Sequence, residues 1–376
     1  MSSLRAPFPY FGGKRRVADA VWARLGDTPN YVEPFAGSAA VLLARPDSHE
    51  WWDRVETIND ASGYISNAWR AIRLAPDAVA EAADWPVDET MLHARHVALV
   101  GQRSELVERL EADPEWCDPR AAGWWIWGAC CSIGGGWCAG GGPWQVVDGR
   151  LVRGAAGKGV QRNLPHLGDS GQGVHRKLPH LGSSGQGVHR KLPNLDWGKC
   201  LLSWDRFRKT ASVTRQLPHQ GPLAGVTAMW ADHLRATMAA LSDRLRRVRI
   251  TCGDWSRVCG PTPTVRRGEP TAVFLDPPYS AERSKVYEVD SSTVAHEVRD
   301  WVLERGDDPR YRIALCGYEG EHDMPDSWEC YAWKSAGGYG SRARGRGREN
   351  SARERIWFSP HCLRPARQME LFEEEG

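Results

Sequence analysis

The chain of 376 residues contains no apolar run of about 18 residues, the length a membrane-spanning helix needs, so no membrane span is expected. Its first residues, MSSLRAPFPY, lack the charged start and apolar stretch of a secretion signal, and none is expected. The ten cysteines form no CxxC pair at zinc-ligand spacing. Cys130, Cys131 and Cys138 cluster, but no second pair sits at ligand distance. We therefore expect neither a metal site nor a disulfide scaffold, and read the cysteines as buried or free thiols in a reducing cytoplasm. A net charge of +2 leaves no global bias toward any class of partner.

What is present begins with enough apolar residues, 41%, to build a core. The length suggests two domains, or one domain with a large insertion. Charge is distributed unevenly. Arg150 to Arg215 holds thirteen Lys/Arg against three acidic residues, and Ser341 to Arg355 reads SRARGRGRENSARER. Clusters of this kind suit a polyanion or form a solvated surface.

Along the chain, PFPYFGGK (Pro7–Lys14) is a Pro/Gly-punctuated loop, and Arg15–Leu25 is amphipathic at helical spacing. A short strand over Asn30–Glu33 runs into a Pro-Phe-Ala-Gly turn and the helix-prone Ser38–Ala44. A second strand, Thr57–Asn59, ends in Asp60 and leads to a helix through Trp69–Leu74. Strand, glycine turn, helix, strand and acid predict the opening of a doubly wound α/β fold. Pro76–Arg120 reads as helical and polar. Gly123–Trp144, dense in Trp and Gly, predicts loops rather than regular elements. LPHLGDSGQGVHRK (Leu164–Lys177) is then repeated almost unchanged as Leu178–Lys191, with partial copies on either side. The period of 14 is too short for a helical-pair solenoid. It predicts an extended basic insertion, ordered on binding or left by replication slippage. Regular elements return with a helix over Val226–Leu245 and strands over Val248–Cys252, Thr271–Leu275, Arg312–Cys316 and Arg355–Phe358. A helix over Val294–Glu304 lies between the strands Thr271–Leu275 and Arg312–Cys316.

The strongest chemical signal is Asp276-Pro277-Pro278-Tyr279 at the end of the apolar strand TAVFL. Ligands in open α/β sheets bind at the carboxyl ends of strands. An Asp there accepts a hydrogen bond from an exocyclic amine. The prolines remove two N–H donors and leave carbonyl acceptors, and Tyr279 offers a face for a base to stack on. The second signal is Glu33-Pro34-Phe35-Ala36-Gly37-Ser38-Ala39, where Gly37 lets a ligand approach the backbone. Asp60 ends the next strand, where an acid holds a ribose or an amino group. The glycine fingerprint for a pyrophosphate is missing, which favours a cofactor without phosphates. The third signal, Tyr10-Phe11-Gly12-Gly13-Lys14, suits a cap over a small carboxylate-bearing ligand.

Taken in order, these stretches resemble the Dam-like, α-group family of DNA adenine-N6 methyltransferases. PYFGGK resembles the family's N-terminal cofactor motif, VEPFAGSAAV its FxGxG motif with Ala39 at the final glycine, and FLDPPY its catalytic motif. The resemblance covers roughly residues 5–75 and 245–360. It implies a Rossmann-like doubly wound methyltransferase sheet, with a catalytic domain from 1–75 and 241–376. Residues 76–240 would then form an inserted, mainly helical or irregular target-recognition region, including the repeats at 157–195. It further implies that Tyr10, Phe11, Gly13, Lys14, Glu33, Phe35, Gly37 and Asp254 surround S-adenosylmethionine. Asp60 would bind its ribose, and Asp276 would face both the methionine amine and the target N6. Asp276 and the Pro277 carbonyl would orient the amine of a flipped-out adenine, beside Pro278, and Tyr279 would stack on it. Removal of the Asp276 side chain is expected to abolish transfer and leave the fold intact.

The partner is then double-stranded DNA, with Arg176, Lys177, Arg190 and Lys191 as phosphate contacts. A monomer in the cytoplasm, or in the host cytoplasm for a phage-encoded chain, is expected. Whether a cognate restriction nuclease accompanies it is open. So are an N4-cytosine methyltransferase, for which Ser more often precedes PPY, an RNA or protein-amide methyltransferase, and a catalytically silent DNA-binding descendant.

Overall fold

The computed structural model describes residues 4–10, 12–46, 54–131, 137–138, 144–147, 150–153, 223–265, 269–278, 293–333 and 353–365. The fold is α/β, built on a mixed seven-stranded sheet. Its strands are β1 (Asn30–Glu33), β2 (Val55–Asp60), β5 (Val248–Cys252), β6 (Thr271–Leu275), β7 (Tyr311–Tyr318), β8 (Glu329–Ala332) and β9 (Glu354–Phe358). The order across the sheet is β5-β2-β1-β6-β7-β9-β8. The first five are parallel, and β9 runs antiparallel to both its neighbours. Counted within the sheet, the parallel part reads 3-2-1-4-5, which places a topological switch point between β1 and β6.

Strand periodicity divides the core into two layers. Tyr31, Ala272, Phe274, Ala314, Cys316, Ile356 and Phe358 face one apolar cluster. Val32, Val273, Leu275, Ile313, Leu315 and Trp357 face the other. Residue by residue the strands switch faces, as the period of two requires. All five residues of β6 are buried, as expected of a strand covered on both sides.

On the first face pack α1 (Ala18–Leu25), α2 (Ala40–Leu43) and α3 (Gly63–Leu74). In α1 the buried residues Ala18, Val21, Trp22 and Leu25 fall at i, i+3, i+4 and i+7, a single stripe. The second face is covered by α9 (Ser256–Cys259) and α11 (Val294–Arg305), through Val258, Cys259, Val298 and Val302. Between them α10 (Pro261–Thr264) packs near β1.

The helical part comprises α4 (Pro76–Ala83), α5 (Glu89–Gly101), α6 (Arg103–Ala112), α7 (Pro119–Cys131) and α8 (Leu223–Leu245). Helix α4 packs on α7 and α8, and α3 packs on α6, α7 and α8. Val79, Leu99, Trp125 and Ile126 share one buried cluster with Val21, Leu42 and Ile58, so the sequence on both sides of residue 75 contributes to one core. Arg70 of α3, 1% exposed, stitches the layers together. It donates to the carbonyls of Leu110, Asp113 and Trp116 at the end of α6, and to that of Ile250 in β5. The Leu110 carbonyl belongs to the last turn of α6, where a helix leaves acceptors without intrahelical partners.

The Trp/Gly-rich segment corrects the sequence expectation. Gly123–Cys131 belongs to α7, and Trp144–Val147 forms β3, paired antiparallel with β4 (Arg150–Arg153). Gly123 and Gly128 serve packing rather than turns. A Cβ on Gly123 would lie 2.5 Å from the Ala82 Cβ of α4, and one on Gly128 would collide with the Trp137 ring. Glycine lets these surfaces meet, and burial of Trp125, Trp127 and Ile126 offsets its weak helix propensity. Two short helices, α9 and α10, and the edge strand β8 were not foreseen. The repeats at 157–195 and the acidic tail lie outside the described residues.

Among the described residues no helix is long and apolar enough to cross a membrane. Eight of the nine described cysteines are buried or half-buried, and Cys330 is exposed.

Candidate functional site

The site forms where the fold predicts a crevice, at the carboxyl ends of β1 and β6 beside the switch point. A cleft there encloses about 370 Å³, in part open to solvent. Its floor is set by sheet geometry. Glu33 is the last residue of β1, and Asp276 directly follows β6. Phe274 shares the cleft with Asp276 because residues two apart on a strand point the same way. The turn after β1 contributes Phe35, Ala36, Ser38 and Ala40, and the N-terminal loop contributes Tyr10, Gly13 and Lys14.

Lys14 is the electrostatic centre. It is 3% exposed, and its Nζ donates to the Gly12 carbonyl at 2.9 Å and to Asp276 Oδ2 at 2.8 Å. Asp276 Oδ1 also lies 2.8 Å away, so both carboxylate oxygens face the ammonium. Glu354 Oε2 of β9 stands 3.9 Å from the same nitrogen, and the Trp333 ring centroid 5.9 Å. Burial by itself would depress the lysine pKa. Asp276, with Glu354 behind it, overrides this and holds the ammonium above its ordinary value. The pairing gives Asp276 a part in stability as well, because removing its side chain takes the 2.8 Å partner from a buried cation.

Glu33 is 2% exposed. The Tyr31 hydroxyl donates to its Oε2 at 2.9 Å and the Leu42 N–H at 3.2 Å. Burial pushes its pKa up to about 8 against those two hydrogen bonds, with the charges of Asp276 and Asp60 adding to the rise. The neighbouring Cys316 thiol is held well above its usual range, again chiefly by burial, and stays neutral.

The turn between β1 and α2 is built by Gly37 and Asp60. Gly37 has φ +47°, in the left-handed region, and a Cβ there would collide with the Tyr10 ring. Its N–H donates to Asp60 Oδ2 at 2.9 Å, and its carbonyl accepts from Trp69 Nε1 at 2.8 Å. Asp60 Oδ1 takes the Ser62 N–H at 2.9 Å. Ala39 also has φ +47°, the conformation glycine adopts with least strain. Asn59 ties the turn to its neighbour, donating to the carbonyls of Pro34 at 3.1 Å and Gly253 at 2.9 Å.

Of the residues singled out in the sequence, Tyr10, Gly13, Lys14, Glu33, Phe35 and Asp276 line one cleft. Pro277 and Pro278 follow Asp276, the first buried and the second partly so. Gly37 and Asp60 shape the turn and are not among the lining residues. Asp254 is exposed, and its Oδ1 accepts the Ser256 N–H at 2.9 Å, so it closes a local turn. Phe35, in the cleft, stacks on the adjacent Trp255 with centroids 6.2 Å apart. Phe11, Tyr279, Arg176, Lys177, Arg190 and Lys191 lie outside the described residues.

Sequence reasoning missed Ser38, Phe274, Tyr31, Trp333 and Glu354. Phe274 was legible from strand alternation with Asp276. Glu354 was not, since it lies 340 residues from Lys14 inside a stretch that reads as basic. Arg355 from the same stretch is paired with Glu319 at 2.9 Å. No protein-family model matches the chain, and no curated protein is significantly similar to it.

Proposed function

We propose that the protein is an S-adenosylmethionine-dependent methyltransferase that acts on the N6 amine of adenine in duplex DNA. The observation that carries this reading is the convergence of Tyr10, Gly13 and Lys14 from the first motif, Glu33, Phe35 and Ser38 from the second, and Asp276 from the third on one cleft at the switch point. Asp276 presents a carboxylate there, and Lys14 holds it in place.

The lining suits this cofactor. Phe35 and Phe274 supply apolar wall, while Glu33 and Asp276 supply acid for a ligand that carries a sulfonium and an ammonium. The cofactor contributes an electrophilic methyl group. The residues of the chain have to bind and align. Asp276 accepts one hydrogen of the target amine and the Pro277 carbonyl the other, which directs the nitrogen lone pair at the electrophile. Asp60 acts through the Gly37 turn, and Tyr279 stacks on the extruded base. The basic repeats, with Arg176, Lys177, Arg190 and Lys191, hold DNA phosphates.

The test is transfer of a labelled methyl group from S-adenosylmethionine to unmethylated duplex DNA, followed by nucleoside analysis. N6-methyladenine is the expected product. N4-methylcytosine would move the assignment to the cytosine amine. Cofactor binding with no transfer to DNA would refute the DNA substrate.

A further inference from the structure

The cleft contains a buried acid that no cation balances among the described residues. Lys14 is the only cation among the described residues lining the cleft, and it is engaged by Asp276 and Glu354. Glu33 receives only neutral donors, the Tyr31 hydroxyl and the Leu42 N–H, and both reach Oε2. The groups facing it from neighbouring elements oppose its ionisation. Asp276 approaches from the end of β6 and Asp60 from the end of β2. Cys316 on β7 is a neutral thiol, and Glu354 on β9 stands beyond Lys14. With burial added, the carboxyl keeps its proton until about pH 8. A buried acid at the wall of a ligand cleft, with both of its described donors on one oxygen and no counter-ion among the described residues, is a receptor for a cation.

We propose that the cleft seats the positively charged end of its ligand against Glu33, and that this charge displaces the carboxyl proton. The O–H bond breaks with its electron pair left on oxygen, and the proton passes to water. The inference rests on the reading of the ligand as S-adenosylmethionine. It adds that cofactor uptake is coupled to proton release, and that Glu33 selects for the ligand's charge.

The experiment is calorimetric titration of the full chain with S-adenosylmethionine at pH 7, in two buffers of different ionisation heat. The expected result is release of close to one proton per ligand bound, seen as a buffer-dependent heat. Affinity should rise by nearly tenfold per pH unit between about pH 6 and 7, where the acid is protonated when free and ionised when bound. Glu33→Gln should remove both the proton release and the pH slope. Tight binding with buffer-independent heat would overturn the proposal and leave the cofactor reading standing. The same proton release in Glu33→Gln would overturn the assignment to Glu33. If S-adenosylmethionine fails to bind at all, both fall. The two-buffer comparison uses the unmodified chain, so the conclusion survives a variant that does not fold.

Discussion

Replacing Glu33 with Gln should stabilise the protein, and by an amount that depends on pH. A buried acid whose pKa is raised binds its proton more tightly in the folded chain than in the unfolded one. Between about 4.5, where an ordinary glutamate titrates, and about 8, where Glu33 does, the folded state carries a proton that the unfolded state has lost. Stability therefore falls as pH rises through this window. The gap, at about 1.4 kcal/mol per pH unit, amounts to about 3 kcal/mol at pH 7 and about 5 kcal/mol above pH 8. Gln mimics the protonated acid. Its carbonyl accepts from Tyr31 and Leu42 as Oε2 does, and it carries no charge to desolvate. Urea denaturation of both proteins at pH 5, 7 and 9 measures the difference. The variant should match the parent within about 1 kcal/mol at pH 5 and exceed it by several kcal/mol at pH 9. Other carboxylates titrate in both proteins and cancel in the comparison. A difference that stays constant from pH 5 to 9 would refute the reasoning, since it would mean that Glu33 is ionised throughout.

Two further perturbations probe the same cleft. Asp276→Ala takes the 2.8 Å carboxylate partner from the buried Lys14 ammonium, leaving Glu354 at 3.9 Å and the Gly12 carbonyl beside it, and should cost about 3 kcal/mol or somewhat less, because the Asp276 side chain is 21% exposed and the pair is partly screened. Asp276→Asn keeps an acceptor for the ammonium and should cost less, so equal denaturation midpoints for parent and Ala variant would show that Lys14 does not depend on this pairing. Gly37→Ala forces an L residue into φ +47° and drives its Cβ into the Tyr10 ring, costing about 1–2 kcal/mol from the backbone alone. Because Tyr10 lines the cleft, affinity for S-adenosylmethionine should fall by tenfold or more, and calorimetric affinity within twofold of the parent would show that the turn tolerates the side chain.

The sequence by itself determined much of the sheet. Asn30–Glu33, Val248–Cys252 and Thr271–Leu275 form strands over the expected residues, because short apolar runs bounded by turn signals carry a local pattern. The spacing of Ala18, Val21, Trp22 and Leu25 likewise predicts α1 from one chain segment. Local pattern failed where a residue's role is set by what packs against it. Gly123 and Gly128 look like loop residues until α4 and Trp137 are brought against them, and α7 then needs them small. The motifs around Tyr10, Gly37 and Asp276 were visible as isolated stretches, since each has its own turn chemistry. What only the tertiary structure decided is their electrostatics. Lys14 meets Asp276 across 262 residues and Glu354 across 340, and Asp60 turns its oxygens to the Gly37 and Ser62 amides. Charge, burial and pKa depend on distances in space, and no pattern along a chain encodes a contact between strands that the sheet order alone makes neighbours.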